Sequence, residues 1–175
     1  MSIARDLANV ASLVVTSSAN VVFDDSIVLT GGTANGIAYL NASKVMTVGN
    51  GFTFNGSNVG IGISSPTVRL DVSGNQAGNI VAVAALDIDC SSGNYFTKTI
   101  AGDSTFTFSN PPASRSYGFT LELTHTSGAV TWPATVKWPG DATPSLTTGK
   151  THLFVFVTDD GGTRWRGSSL VNYTN

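Results

Sequence analysis

This sequence predicts a mainly β protein: a short N-terminal helix, an intertwined β-stem, and a C-terminal antiparallel β-sandwich or jelly roll, assembled as a homotrimer. Three features carry the prediction. Good helix formers are scarce, because only 11% of the 175 residues are charged and Glu122 is the single glutamate; a typical domain carries about 25% charge. Gly, Asn, Ser and Thr punctuate short apolar runs, the texture of strands joined by tight turns. Several runs alternate with a period of two, as at Phe106-Thr107-Phe108 and Phe119-Thr120-Leu121-Glu122-Leu123-Thr124.

Residues 1–19 read as a helical docking arm. Ser2 can cap the first turn, and Ile3, Leu7, Val10 and Val14 fall on one helical face. A helix this short is marginal alone in water, so its apolar stripe needs a cover. That cover is its own domain, copies of itself, or a larger assembly.

Residues 20–75 read as the stem. Short apolar pieces recur at 21–23, 27–29, 37–40, 45–48, 52–54, 59–63 and 68–72, separated by Gly31-Gly32, Asn35-Gly36, Asn50-Gly51, Asn55-Gly56 and Gly74-Asn75. Asn-Gly between β-prone runs is a strong hairpin or turn signal. Strands this short cannot build a monomeric core, but identical chains wrapped around a shared axis can bury them.

The stem also carries a resemblance. Its run from Gly56 to Asn75, Gly-Ser-Asn-Val-Gly-Ile-Gly-Ile-Ser-Ser-Pro-Thr-Val-Arg-Leu-Asp-Val-Ser-Gly-Asn, resembles the NVGIGTSSPxxKLDVSGN segment of phage tail fibres and related trimeric surface fibres. Ile63 stands where Thr is usual and Arg69 where Lys is common. The resemblance implies a fibre stem leading into a distal domain, a virion location after assembly in the host cytoplasm, and capsid or tail proteins as partners. Gly60-Ile61-Gly62 is not a dinucleotide-binding loop, since the third glycine is missing and Pro66 lies just beyond.

Residues 76–84 read as a small-residue connector, and 85–175 as the sandwich domain. Its expected strands are 85–89, 95–100, 105–109, 117–124, 129–132, 153–158 and 163–173, divided by turns at Ala101-Gly102-Asp103, Asn110-Pro111-Pro112, Thr126-Ser127-Gly128 and Asp159-Asp160-Gly161-Gly162. Phe154-Val155-Phe156-Val157 is apolar on both faces, as for a central strand. The stretches Gly93 to Lys98 and Asp159 to Trp165 resemble, more weakly, compact C-terminal domains of phage virion proteins.

The functional classes narrow in step. Nine scattered basic residues and a net charge of −2 leave no footprint for nucleic acid. No apolar run approaches the ~20 residues of a membrane span, and the N-terminus lacks the pattern of a signal peptide. One cysteine, Cys90, excludes an internal disulfide and a cysteine-cluster metal site. The histidines His125 and His152 have no serine elbow to serve. Asp24-Asp25 and Asp159-Asp160 lack calcium-loop spacing, and the turn aspartates do not form a glycosidase pair. The expectation is a protein with no enzymatic activity, no metal and no cofactor.

One cluster stands out. Trp132-Pro133 and Trp138-Pro139 repeat a pair six residues apart, with His125 just before and Trp165 on the last hairpin. If exposed, Trp132, Trp138, Trp165 and His125 form a glycan-reading face, for which the partner would be a host-surface glycan in adsorption. The competing and favoured expectation is that these large rings fill the core or an inter-subunit seam.

Overall fold

A computed structural model describes residues 35–43 and 46–174. The expected N-terminal helix with Ile3, Leu7, Val10 and Val14, and the expected strands at 21–23 and 27–29, lie outside the described residues. The chain divides into two compact units, residues 1–75 and 76–175. Both are built from strands, and among the described residues no α-helix is present.

In the first unit β1 (Gly36–Leu40), β2 (Met46–Phe54), β3 (Val59–Ile61) and β4 (Leu70–Val72) form one sheet in that order. The expected turn at Asn55-Gly56 is present. The Asn55 Oδ1 accepts the N–H groups of Ser57 at 3.2 Å and Asn58 at 2.9 Å, and Gly56 takes φ +92°. Asn50-Gly51 forms no turn, contrary to expectation. Ile37 pairs with Gly49 and Gly36 with Thr53, so Asn50, Gly51 and Phe52 bulge out of a continuous β2. The Gly62 N–H reaches the Gly51 carbonyl at 2.9 Å and ties this bulge to the segment after β3.

The second unit holds a six-stranded sheet and two small ribbons. Its strands are β5 (Ile80–Ala82), β6 (Asp87–Asp89), β7 (Tyr95–Ala101), β8 (Ser104–Thr105), β9 (Thr107–Ser109), β10 (Tyr117–Ser127), β11 (Val130–Thr131), β12 (Val136–Lys137), β13 (Lys150–Thr158) and β14 (Trp165–Tyr173). The large sheet runs β12-β14-β13-β10-β7-β5, and β8 pairs with β11 and β6 with β9. Two strands are not announced by the sequence. β5 lies inside the expected connector, and β12 sits beside the second Trp-Pro pair.

Pairing direction also differs from expectation. β10–β13 and β13–β14 are antiparallel, but β5–β7, β7–β10, β12–β14, β6–β9 and β8–β11 are parallel. The unit is therefore a mixed, sandwich-like β fold rather than an antiparallel jelly roll. The reason lies in the connections. Between β7 and β10 the chain passes through β8 and β9, which pair in the ribbons, so β10 returns alongside β7 in the same direction.

One face of the large sheet carries the core. Phe96 and Ile100 of β7, Phe119, Leu121 and Leu123 of β10, Phe154 and Phe156 of β13, and Trp165 of β14 are all buried. The ribbons cover them with Ile88, Phe106, Phe108 and Trp132. Phe108 meets the rings of Phe119, Phe156 and Trp165 at centroid distances of 5.1, 4.9 and 5.3 Å. Edge-on contacts of this kind add stability beyond area burial. Hydroxyls stitch the β6–β9 ribbon: Thr107 and Ser109 each donate to the Asp87 carboxylate at 2.6 Å.

Candidate functional site

The structure brings the four residues of the aromatic cluster into the second unit's interior. Trp132 and Trp138 are each 9% exposed, Trp165 is 1% exposed, and His125 is buried. Trp132 stacks on Phe106 at 5.2 Å and packs against Phe154 at 4.6 Å and Trp138 at 5.6 Å. Trp138 lies so close over Gly167 that a Cβ there would come within 2.8 Å of the indole. A shallow hollow of about 320 Å³, lined by Trp132, Pro133, Trp138 and Thr143, opens beside these rings. Stacking on a sugar needs an exposed ring face, and indoles buried to this degree offer little of one.

Backbone partners hold both histidine rings. The His125 Nε2 donates to the Gly128 carbonyl at 2.8 Å, and its Nδ1 has no partner among the described residues. At His152 the Nδ1 accepts the Asn172 N–H at 3.2 Å and the Nε2 donates to the Thr147 carbonyl at 3.3 Å. Burial, with a smaller contribution from His125, pushes the His152 pKa below the usual histidine value. Both ring nitrogens of His152 are thus engaged by the main chain, a structural role rather than that of a poised base. Cys90 is buried, and its thiol is pushed up to about 12, which leaves it a poor nucleophile.

The aspartate-rich hairpin between β13 and β14 is turn chemistry. The Asp160 Oδ1 accepts the Thr158 hydroxyl at 2.9 Å and the Arg164 N–H at 3.0 Å, and the Thr158 hydroxyl oxygen accepts the Gly162 N–H at 3.0 Å. These bonds, the Arg164 N–H first, hold the Asp160 carboxyl below its ordinary pKa. Asp159 pairs with Arg164 and Arg166, each at 3.4 Å.

The fibre-like segment in the first unit explains its own residue choices. A Cβ at Gly60 would lie 2.6 Å from both the Ile63 carbonyl and the Thr53 Oγ1. The glycine leaves room for the buried Thr53 hydroxyl to donate to the Ile63 carbonyl at 2.8 Å. At Gly62, with φ +71°, a Cβ would meet the Ser73 carbonyl at 2.6 Å, where β4 ends. Asn55 and Asn58 both donate to the Pro66 carbonyl at 3.1 Å, and Asp71 accepts the N–H and hydroxyl of Thr67. The segment folds upon itself through backbone and small polar groups.

What this segment lacks is apolar burial. Every buried hydrophobic core residue described lies between Ile88 and Trp165. In the first unit Tyr39, Leu40, Met46, Phe52, Phe54, Ile61, Val68 and Leu70 are all exposed. In the second unit Ile80, Val155, Val157 and Leu170 are exposed as well. The sequence alone singles out none of these as site residues. A signal was present in Phe154-Val155-Phe156-Val157, whose two apolar faces call for two covers. Comparison of the chain with protein families, curated proteins and solved structures yields no match.

Proposed function

We propose that this chain is a non-enzymatic structural protein of a tailed-bacteriophage virion, a short homotrimeric fibre or spike or a decoration protein on capsid or tail. One observation carries the assembly part of this reading. The described part of the first unit exposes eight large apolar side chains and buries none, while Thr53, Gly60 and Pro66 are its buried positions. Large apolar side chains exposed on this scale, with no core beneath them among the described residues, favour a surface covered by a partner. A repetitive, glycine-punctuated stem meets that need most simply with further copies of itself. The virion part rests on the resemblance of Gly56 to Asn75 to fibre stems, together with the local bonding of that motif, in which Gly60, Gly62 and Asn58 each have a mechanical task.

Sedimentation of the full chain tests the assembly reading. A trimer mass is the expected result, and a monomer at micromolar concentration overturns it. Locating the protein's density in an image reconstruction of the intact particle tests the virion reading. Incubation with host envelope polysaccharide should release no oligosaccharide, and release would replace the structural role with an enzymatic one.

A further inference from the structure

In the second unit, no described element covers the face of the six-stranded sheet opposite the core. The register places its outward residues in rows: Ile80, Tyr95, Thr120, Val155 and Ser168 in one, and Ala82, Thr97, Glu122, Leu153 and Leu170 in the next. Val157 continues the apolar stripe beside Gly118. Ile80 is 66% exposed, Leu170 59% and Val155 42%. β13 is an interior strand of this sheet, paired on both edges, yet its outward valines face solvent. Interior strands that are apolar on both sides belong to sheets covered on both faces.

We propose that this face packs against the same face of other copies of this chain in the assembled protein. The inference rests on the homotrimer reading and names where the second units meet. Three arguments select a like copy as the occupant. The first is size. Five strands, β5 to β14, are four spacings of ~4.8 Å or ~19 Å across, and Gly118 to Thr124 is six steps of ~3.4 Å or ~20 Å. That gives a flat area of roughly 390 Å² between strand axes, to which side-chain relief and the flanking residues add toward the ~600 Å² per partner at the lower end of stable interfaces.

The second argument is charge. A face that meets its own copy meets its own charges, so it must be nearly neutral or self-complementary. The stripe of Leu153, Val155, Val157, Ser168 and Leu170 carries no charge. Arg166 at its end is paired with Asp159 and lies in register beside Lys137, and Glu122, in register with Leu153, accepts a 2.7 Å hydrogen bond from Tyr95, so the face carries charges of both signs. The third argument is the sheet edge. Among the described residues, β12 pairs only with Trp165 and Arg166, so β14 beyond them has no neighbour on that edge, which carries exposed Leu170, Val171 and Tyr173. Long apolar edges left open invite strand pairing with another chain.

The test reads the face itself. In the full chain, Val155→Cys places a thiol on the stripe, while Cys90 stays buried and unlabelled. Its labelling rate is compared with Thr105→Cys, on an exposed strand of the β8–β11 ribbon, and the mass is measured in parallel. A trimer whose Val155→Cys thiol labels at least ~10-fold more slowly than the control supports the proposal. Leu170→Cys, also exposed in the single chain, reads the same face if Val155→Cys fails to fold. A trimer in which both thiols label at the control rate overturns this inference and leaves the assembly reading standing. A monomer overturns both.

Discussion

Replacing Trp132 by alanine separates a core role from a ligand-binding role. The ring is buried against Phe106, Phe154, Phe156 and Trp138, at centroid distances of 5.2, 4.6, 5.3 and 5.6 Å. Removing about 200 Å² of buried aromatic surface at ~25 cal/mol/Å² costs about 5 kcal/mol. Buried Trp→Ala changes fall at about 3–5 kcal/mol, so about 4 kcal/mol is expected. A domain of about 100 residues is stable by about 5–15 kcal/mol and loses ~4–8 °C of Tm per kcal/mol. The second unit should therefore melt about 15–30 °C lower in Trp132→Ala, measured by circular dichroism at fixed protein concentration. Trp132→Phe, which keeps part of the stack on Phe106, should recover a good part of that loss. A Tm within about 5 °C of the parent would refute the core assignment. If saccharide binding then vanished while the fold stood, the glycan-face reading of Trp132, Trp138 and Trp165 would take its place.

Two further perturbations probe the backbone and the histidines. Gly128 has φ +91°, and a Cβ there would lie 2.0 Å from the Gly102 carbonyl carbon, whereas Gly140 has φ +63° and open space around it. Gly128→Ala should cost about 3 kcal/mol or more and Gly140→Ala only about 1 kcal/mol in urea unfolding; equal costs would remove the close approach of the two loops as the cause. For His152, the folded-state pKa is lowered, chiefly by burial, so the neutral ring is the native form and the unfolded chain binds the extra proton more readily. Stability on this account is fully present above the ordinary histidine pKa of about 6.5, begins to fall as pH drops through that value, and stops falling below the depressed folded pKa. An imidazole NMR titration of the folded protein with a midpoint at or above about 6.5 would contradict this.

Burial was legible in the sequence, and pairing was not. The alternation at Phe119-Thr120-Leu121-Glu122-Leu123 marked the inward residues of β10, and each of its apolar members is in the core. Alternation carries no information on the neighbour's direction, so the parallel β7–β10 and β5–β7 pairs were invisible. Ile80-Val81-Ala82 is too short, and too closely preceded by Gly78 and Asn79, to announce a strand, and it pairs because β7 offers an edge. Asn55-Gly56 and Asn50-Gly51 look alike as dipeptides but differ in the path of the chain beyond them. After Asn55-Gly56 the chain reverses into β3, while after Asn50-Gly51 it rejoins β1 through the pairing of Gly36 with Thr53. The Trp-Pro pairs were ambiguous for a different reason, since large rings suit both a core and a ligand face and only their neighbours decide.

The low charge of the chain has its cause in the same distribution of surfaces. The second unit packs aromatic rings between a sheet and two ribbons, which requires no partner for that side of the sheet. It still leaves β13 with Val155 and Val157 in water, at positions where a free-standing domain would place Lys, Glu or Thr. The first unit places Tyr39, Met46, Phe52 and Leu70 in the same situation and has no compensating core among its described residues. Charged residues at such positions would resist self-association, because burying an unpaired charge is far more costly than burying a valine. On the assembly proposed above, scarce charge has one reason in both units: each exposes apolar side chains that a further copy of the chain would cover.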